Sequence, residues 1–169
     1  MNKEQMKEHN RIAFYPCCNL DFIEPYEALD GLFDTFIFCD RNKSVRKRFE
    51  EVAESIPKAR LLNLSIQDAL KKISVIDILF YRRDSDGPGG SAIYVFGDKY
   101  FKDIAPKFST AGAIIISDGS NARGANWRRM NRKNGLLKYD RHFIPHPTLD
   151  FSHLNGYKKI QTVQVMPLR

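Results

Sequence analysis

Apolar positions along the chain fall into short β-branched or aromatic runs, separated by stretches with apolar residues at helical spacing. Ile12-Ala13-Phe14-Tyr15 reads as a first strand, stopped by Pro16, and Thr35 to Cys39 as a second, ending at Asp40. Arg60 to Leu64 is a weaker third, Ile76 to Tyr81 a fourth, and Ala113 to Ser117 the clearest, ending at Asp118. Gln161 to Met166 alternates and closes the chain as a strand, with Arg141 to Ile144 starting its partner. Helices are expected over Pro25 to Leu32, Ser44 to Ser55, Ile66 to Ile73 and Lys99 to Phe108. Ser44 is the expected N-cap of the second, and Ser65 with Asp68 three positions on opens the third. Strands alternating with helices predict βαβ units, hence an α/β domain with a mostly parallel sheet and helices on both faces. The terminal strand is expected as an antiparallel addition at the sheet edge.

The chain has 169 residues, 43% of them hydrophobic, which suits a single domain with a buried core and no need of staples. Met1 to Asn10 is polar and reads as a flexible N-terminus, leaving residues 11–169 as the domain. No apolar run approaches about 18 residues, so no membrane span is expected. Three cysteines, two of them adjacent, make no disulfide framework and point to a reduced, cytoplasmic protein. The net charge of +7 is concentrated. Gly119 to His142 holds seven basic residues (Arg123, Arg128, Arg129, Arg132, Lys133, Lys138 and Arg141) against the single acid Asp140.

In an open α/β sheet ligands bind outside the carboxyl ends of the strands, so the residues just after each strand form one ring of candidates. Strand one delivers Tyr15, Cys17, Cys18, Asn19 and Asp21; strand two delivers Asp40, Arg41 and Asn42. Asn63 and Ser65 follow the third strand, Arg82-Arg83-Asp84 the fourth, and Asp118-Gly119-Ser120-Asn121 the fifth.

In its strand order and spacing, residues 11 to 118 resemble the class I S-adenosylmethionine-dependent methyltransferases, a Rossmann-like fold. The chain is similar in particular to small bacterial or phage proteins of unassigned function that share this fold. In that family a Gly-rich loop after strand one approaches the methionine part of the cofactor, and an acid ending strand two takes the ribose hydroxyls. Asp40 stands at the second position, while Cys17-Cys18-Asn19 stands where glycines are expected. No Asn-Pro-Pro-aromatic tetrad follows strand four. The resemblance implies S-adenosylmethionine or a related nucleoside as ligand. It implies contacts from Tyr15, Cys17, Cys18, Asn19, Asp21, Asp40, Asn42 and Ser65, and a catalytic base at Asp84 or Asp118. A strand-end carboxylate facing a cleft, as Asp40 would, is expected to add little to stability.

Two further segments invite anions. Successive N–H groups at Gly89-Gly90-Ser91 form a candidate nest beside Arg82 and Arg83, though no Gly-Lys-Ser/Thr makes it a Walker loop. The plainer reading is a turn into the next apolar run. The basic segment places Trp127 beside Arg128 and Arg129, with Arg132 and Lys133 following, a pattern suited to phosphate contact and base stacking. It reads equally as a solvated helix face. No metal site is expected, because the adjacent cysteines have the wrong spacing and His142, His146 and His153 straddle prolines. Two functions therefore stand side by side: a methyltransferase-like nucleoside-binding protein, or a non-catalytic module whose basic patch binds nucleic acid, another polyanion or a protein.

Overall fold

A computed structural model of the chain describes residues 9–84, 87–88, 90–120 and 141–167. Seven strands form one sheet: β1 (Ile12–Pro16), β2 (Thr35–Cys39), β3 (Ala59–Leu62), β4 (Ile78–Tyr81), β5 (Ala113–Ser117), β6 (Arg141–Pro145) and β7 (Gln161–Pro167). Their order is β3-β2-β1-β4-β5-β7-β6. The first five strands pair in parallel, and β7 runs antiparallel to both β5 and β6. Central β1, β2 and β4 are buried almost throughout, as strands covered on both faces must be.

The terminal strand is antiparallel as expected, yet it is not the edge. It lies between β5 and β6, and β6 closes the sheet. The alternation of β7 reports that Val163 and Val165 face the core. Pairing along its two edges uses backbone groups and leaves no trace in the side-chain pattern.

Helices α1 (Ile23–Ala28), α2 (Ser44–Val52), α3 (Ile66–Leu70) and α4 (Asp98–Ile104) fill the crossovers. From β1 the chain steps outward to β2 and β3, then returns across β1 to β4 and β5 on the other side. Right-handed crossovers place the helices of these two halves on opposite faces, and α3 packs against α4 accordingly. Ser65 caps α3 through its hydroxyl, which accepts from the Asp68 N–H. Ser44 does not cap α2. It is the first helical residue, and Asn42 Oδ1 accepts from both its N–H and its hydroxyl. Gly31, at φ 84°, takes the left-handed turn beyond α1, which ends at Ala28 rather than at Leu32.

The face under α1 and α2 is aromatic. Phe36 and Phe38, two apart on β2, stack with ring centroids 4.3 Å apart; Tyr26 stacks on Phe36, and Phe22, Phe33 and Phe49 pack edge-on or tilted around the pair. Phe38 touches Tyr15, Phe22 and Phe49 as well as Phe36, so its removal leaves a void bounded by rigid rings. We expect Phe38→Ala to lose about 3–5 kcal/mol in equilibrium urea unfolding, with Leu at that position recovering most of it.

Candidate functional site

Strand β1 lies between β2 and β4, so the chain reverses direction across it and opens a crevice at the carboxyl ends. The loop after β1 takes a left-handed path without glycine: Cys17 has φ 55° and Asn19 φ 50°. Two hydrogen bonds hold it there. The Cys18 N–H donates to Cys39 O at 3.1 Å, and the Asn19 N–H donates to Asp40 Oδ2 at 2.9 Å. The other carboxylate oxygen of Asp40 accepts from the Asn42 N–H at 2.8 Å. Asn63 completes the turn, its Nδ2 donating to Asp40 O and Asn42 O. Asp40 therefore ties the loops after β1 and β2 together, and its contribution to stability is larger than a free cleft carboxylate would give.

These loops border a cavity of about 650 Å³, within the range of small-ligand sites. Cys17, Asn19, Asp40, Asn42, Ser65, Asp84 and Ser91 all line it, joining residues from the ends of β1, β2, β3 and β4. Its remaining wall includes Leu64, Ile66, Gln67, Ile93, Lys99 and Tyr100, which strand-end reasoning missed. Lys99 and Tyr100 enter because α4 packs on α3, a contact that no local motif announces. Burial pushes the Cys17 thiol up to about 12 and raises Cys18 and Cys39 strongly, so all three stay protonated at neutral pH.

Tyr15 and Asp21 do not line the cavity. They belong to a buried cluster around Arg82, whose side chain has no solvent exposure. Arg82 Nε and one terminal nitrogen donate to the two oxygens of Asp21, each at 2.8 Å. Its other terminal nitrogen donates to Glu24 Oε1 at 2.9 Å and Asn155 O at 3.1 Å. The Tyr15 hydroxyl adds a bond to Asp21 at 2.7 Å, and Arg83 an ion pair at 3.0 Å. Burial would raise the Asp21 carboxyl. Hydrogen bonds from Arg82 and Tyr15, with the charges of both arginines, outweigh it and hold that carboxyl below its ordinary value.

The anion nest is also corrected. Gly90 N–H donates to Gly87 O, and Ser91 gives both its N–H and its hydroxyl to Asp84. The anion held beside this turn is thus the chain's own carboxylate, and Arg82 is already saturated by acids. Gly89 lies outside the described residues, as do Trp127, Arg128, Arg129, Arg132 and Lys133. Of the two candidate bases, Asp84 borders the cavity and accepts a 2.6 Å bond from the Tyr81 hydroxyl. Asp118 does not border it. Buried, it accepts from the N–H groups of Arg83, Ser120 and Tyr157 and so ties three loops together.

Solved structures share this architecture. An rRNA methylase from Streptococcus thermophilus superposes with a TM-score of 0.54 at 9% identity, covering 95% of this chain and 89% of its own. SMU.1697c from Streptococcus mutans, in complex with SAH, gives 0.60 at 13%, covering 94% and 89%. The fold is that of the class I methyltransferases. Spermidine synthase in complex with the transition state analogue AdoDATO has the same fold, with a TM-score of 0.54 at 9% identity over 93% of this chain and 54% of its own. No protein-family model and no curated protein sequence matches the chain.

The Arg82 cluster makes a pH prediction. A depressed carboxyl contributes stability that is complete above its unfolded value, near about 3.9, and is lost as pH falls through the lower folded value. Asp21→Asn leaves a buried guanidinium short of its bidentate partner and is expected to cost about 3–5 kcal/mol at pH 7. Urea midpoints measured from pH 7 to pH 3 should draw closer for wild type and variant as pH falls below about 4.

Proposed function

We propose that the chain binds S-adenosylmethionine or a related nucleoside in the strand-end cavity, with the Asp40 carboxylate on the ribose. One observation carries this: Asp40, at the end of β2, borders a cavity of about 650 Å³ at the point where the sheet reverses. A carboxylate offers about four lone-pair sites. Backbone N–H groups take two here, which leaves room for a vicinal diol. Ile66 and Leu64 supply apolar wall for a base, and the protonated Cys17 supplies a soft wall for a thioether or sulfonium. When bound, S-adenosylmethionine would supply an electrophilic methyl group. A proton released by an acceptor would pass to Asp84, the candidate base that lines the cavity, held in place by Tyr81 and Ser91.

The partner we infer is a nucleic acid, met through the basic segment between Gly119 and His142. The described residues that lead into it, up to Ser120, lie at the same edge as the cavity, where Ser120 Oγ accepts from the Asp84 N–H. An rRNA methylase stands among the proteins that share the fold, and seven basic residues against one acid suit a polyanion.

Calorimetric titration with S-adenosylmethionine and S-adenosylhomocysteine tests the first reading, and silence at about 1 mM ligand would overturn it. Asp40→Ala should weaken binding by about 1.5–3 kcal/mol and, unlike a free cleft carboxylate, lower the melting temperature too. For the second reading, four phosphate contacts give a log–log salt slope of about −3. Replacing Arg128 and Arg129 together by Ala should reduce its magnitude by about 1.5 to 2, read by fluorescence anisotropy.

A further inference from the structure

Outside the cavity, the strand-end edge presents an exposed aromatic residue in a tied frame. Tyr157 is 65% exposed, although its backbone is bonded into the fold. Its N–H donates to Asp118 Oδ2 at 2.8 Å, and the Arg83 N–H donates to the same oxygen at 3.0 Å. The residue before it, Gly156, is packed so closely that a Cβ there would lie 2.5 Å from Lys158 O and 2.7 Å from Asp118 Cβ. Two residues before Tyr157, Asn155 O accepts from buried Arg82. The loop is thus fixed at three successive points while the ring it carries stays in solvent.

Side chains on the loops tied to it make a candidate platform. Arg83, held at φ 53°, has a side chain 38% exposed that pairs with Asp21 at 3.0 Å. Next to Asp21 is Leu20, 52% exposed. Lys158 and Lys159 follow Tyr157, both exposed. The acids nearby are engaged: Asp21 by both arginines, Glu24 by Arg82, and Asp118 by three backbone N–H groups. An aromatic face, an apolar side chain and cations beside neutralised carboxylates match a flat, uncharged ring on an anionic backbone. Arg83 directly precedes Asp84, so the platform adjoins the cavity wall.

We propose that Tyr157, with Leu20 and Arg83, stacks an unpaired base of a single-stranded nucleic acid and so sets which nucleotide meets the cavity. This rests on the strand-end cavity being the functional site. A base held in a duplex is already stacked and cannot use the ring, so the platform selects unpaired substrates.

The test uses the full chain and a fluorescein-labelled single-stranded RNA of about 12 nucleotides, with the matching duplex as the second arm. Tyr157→Ala should weaken single-strand binding by about 5- to 150-fold, the range of one stacked base, and leave duplex binding unchanged. Tyr157→Phe should stay within about twofold of wild type, because stacking needs the ring and not the hydroxyl. The salt slope should be unaffected by Tyr157→Ala, since no phosphate contact is removed. Equal affinity for Tyr157→Ala and wild type overturns the proposal, as do a Tyr157→Phe loss as large as that of Ala and a wild type that binds no RNA. Calorimetry with S-adenosylhomocysteine separates the two readings. No heat alongside a Tyr157-dependent affinity sinks the cavity ligand and keeps the platform, whereas heat without that dependence does the reverse.

Discussion

One buried guanidinium constrains the whole strand-end edge. Arg82 joins the loop after β1 through Asp21, α1 through Glu24, the end of β4 through its own backbone, and the segment before β7 through Asn155. Burial alone would push a guanidinium towards its neutral form, and the hydrogen bonds it donates to Asp21 and Glu24 more than reverse this. Desolvating an arginine costs several kcal/mol even after relaxation, so the fold tolerates it only with every partner in place. The Asp21 carboxyl is consequently held in its ionised form, and the loops after β1 and β4 cannot move apart without exposing an unpaired charge. The cavity inherits that rigidity, because Cys17, Asn19 and Asp84 sit on those same loops.

That constraint explains what was legible in the sequence and what was not. Strands were legible because burial on both faces leaves continuous apolar runs, and Thr35 to Cys39 and Ala113 to Ser117 fall where those runs predict. Strand ends were legible too, since Asp40, Asn42, Ser65 and Asp84 do meet around one cavity. The direction each side chain takes was not. Arg82-Arg83 beside three glycines reads as an anion site, yet the acids that claim Arg82 lie 61 and 58 positions earlier in the chain. Sequence patterns report which face a residue occupies, and a distant partner leaves no mark on them. The same limit hid Lys99 and Tyr100, which reach the cavity only through helix packing, and it placed β7 at the edge when both its sides are paired.

The glycine-free loop shows how Asp40 comes to serve two purposes. Residues with side chains at φ near 50° are strained by about 1–3 kcal/mol each, and Asn tolerates this better than Cys. Asn19 sits at φ 50° with its N–H on Asp40, so the carboxylate that faces the cavity also stabilises the strained turn. A ligand that takes only the two remaining lone-pair sites leaves the turn intact. One that demanded the whole carboxylate would release Asn19 and Asn42 and give back the strain the bond offsets. In the proposed reading, the two lone-pair sites that the turn leaves open on Asp40 would take the vicinal diol. In that reading Cys17, a half-buried thiol whose pKa is pushed up to about 12, would offer the sulfur of the ligand a polarizable wall. The loop has the path that glycines would allow, and its side chains decide what can lie against it.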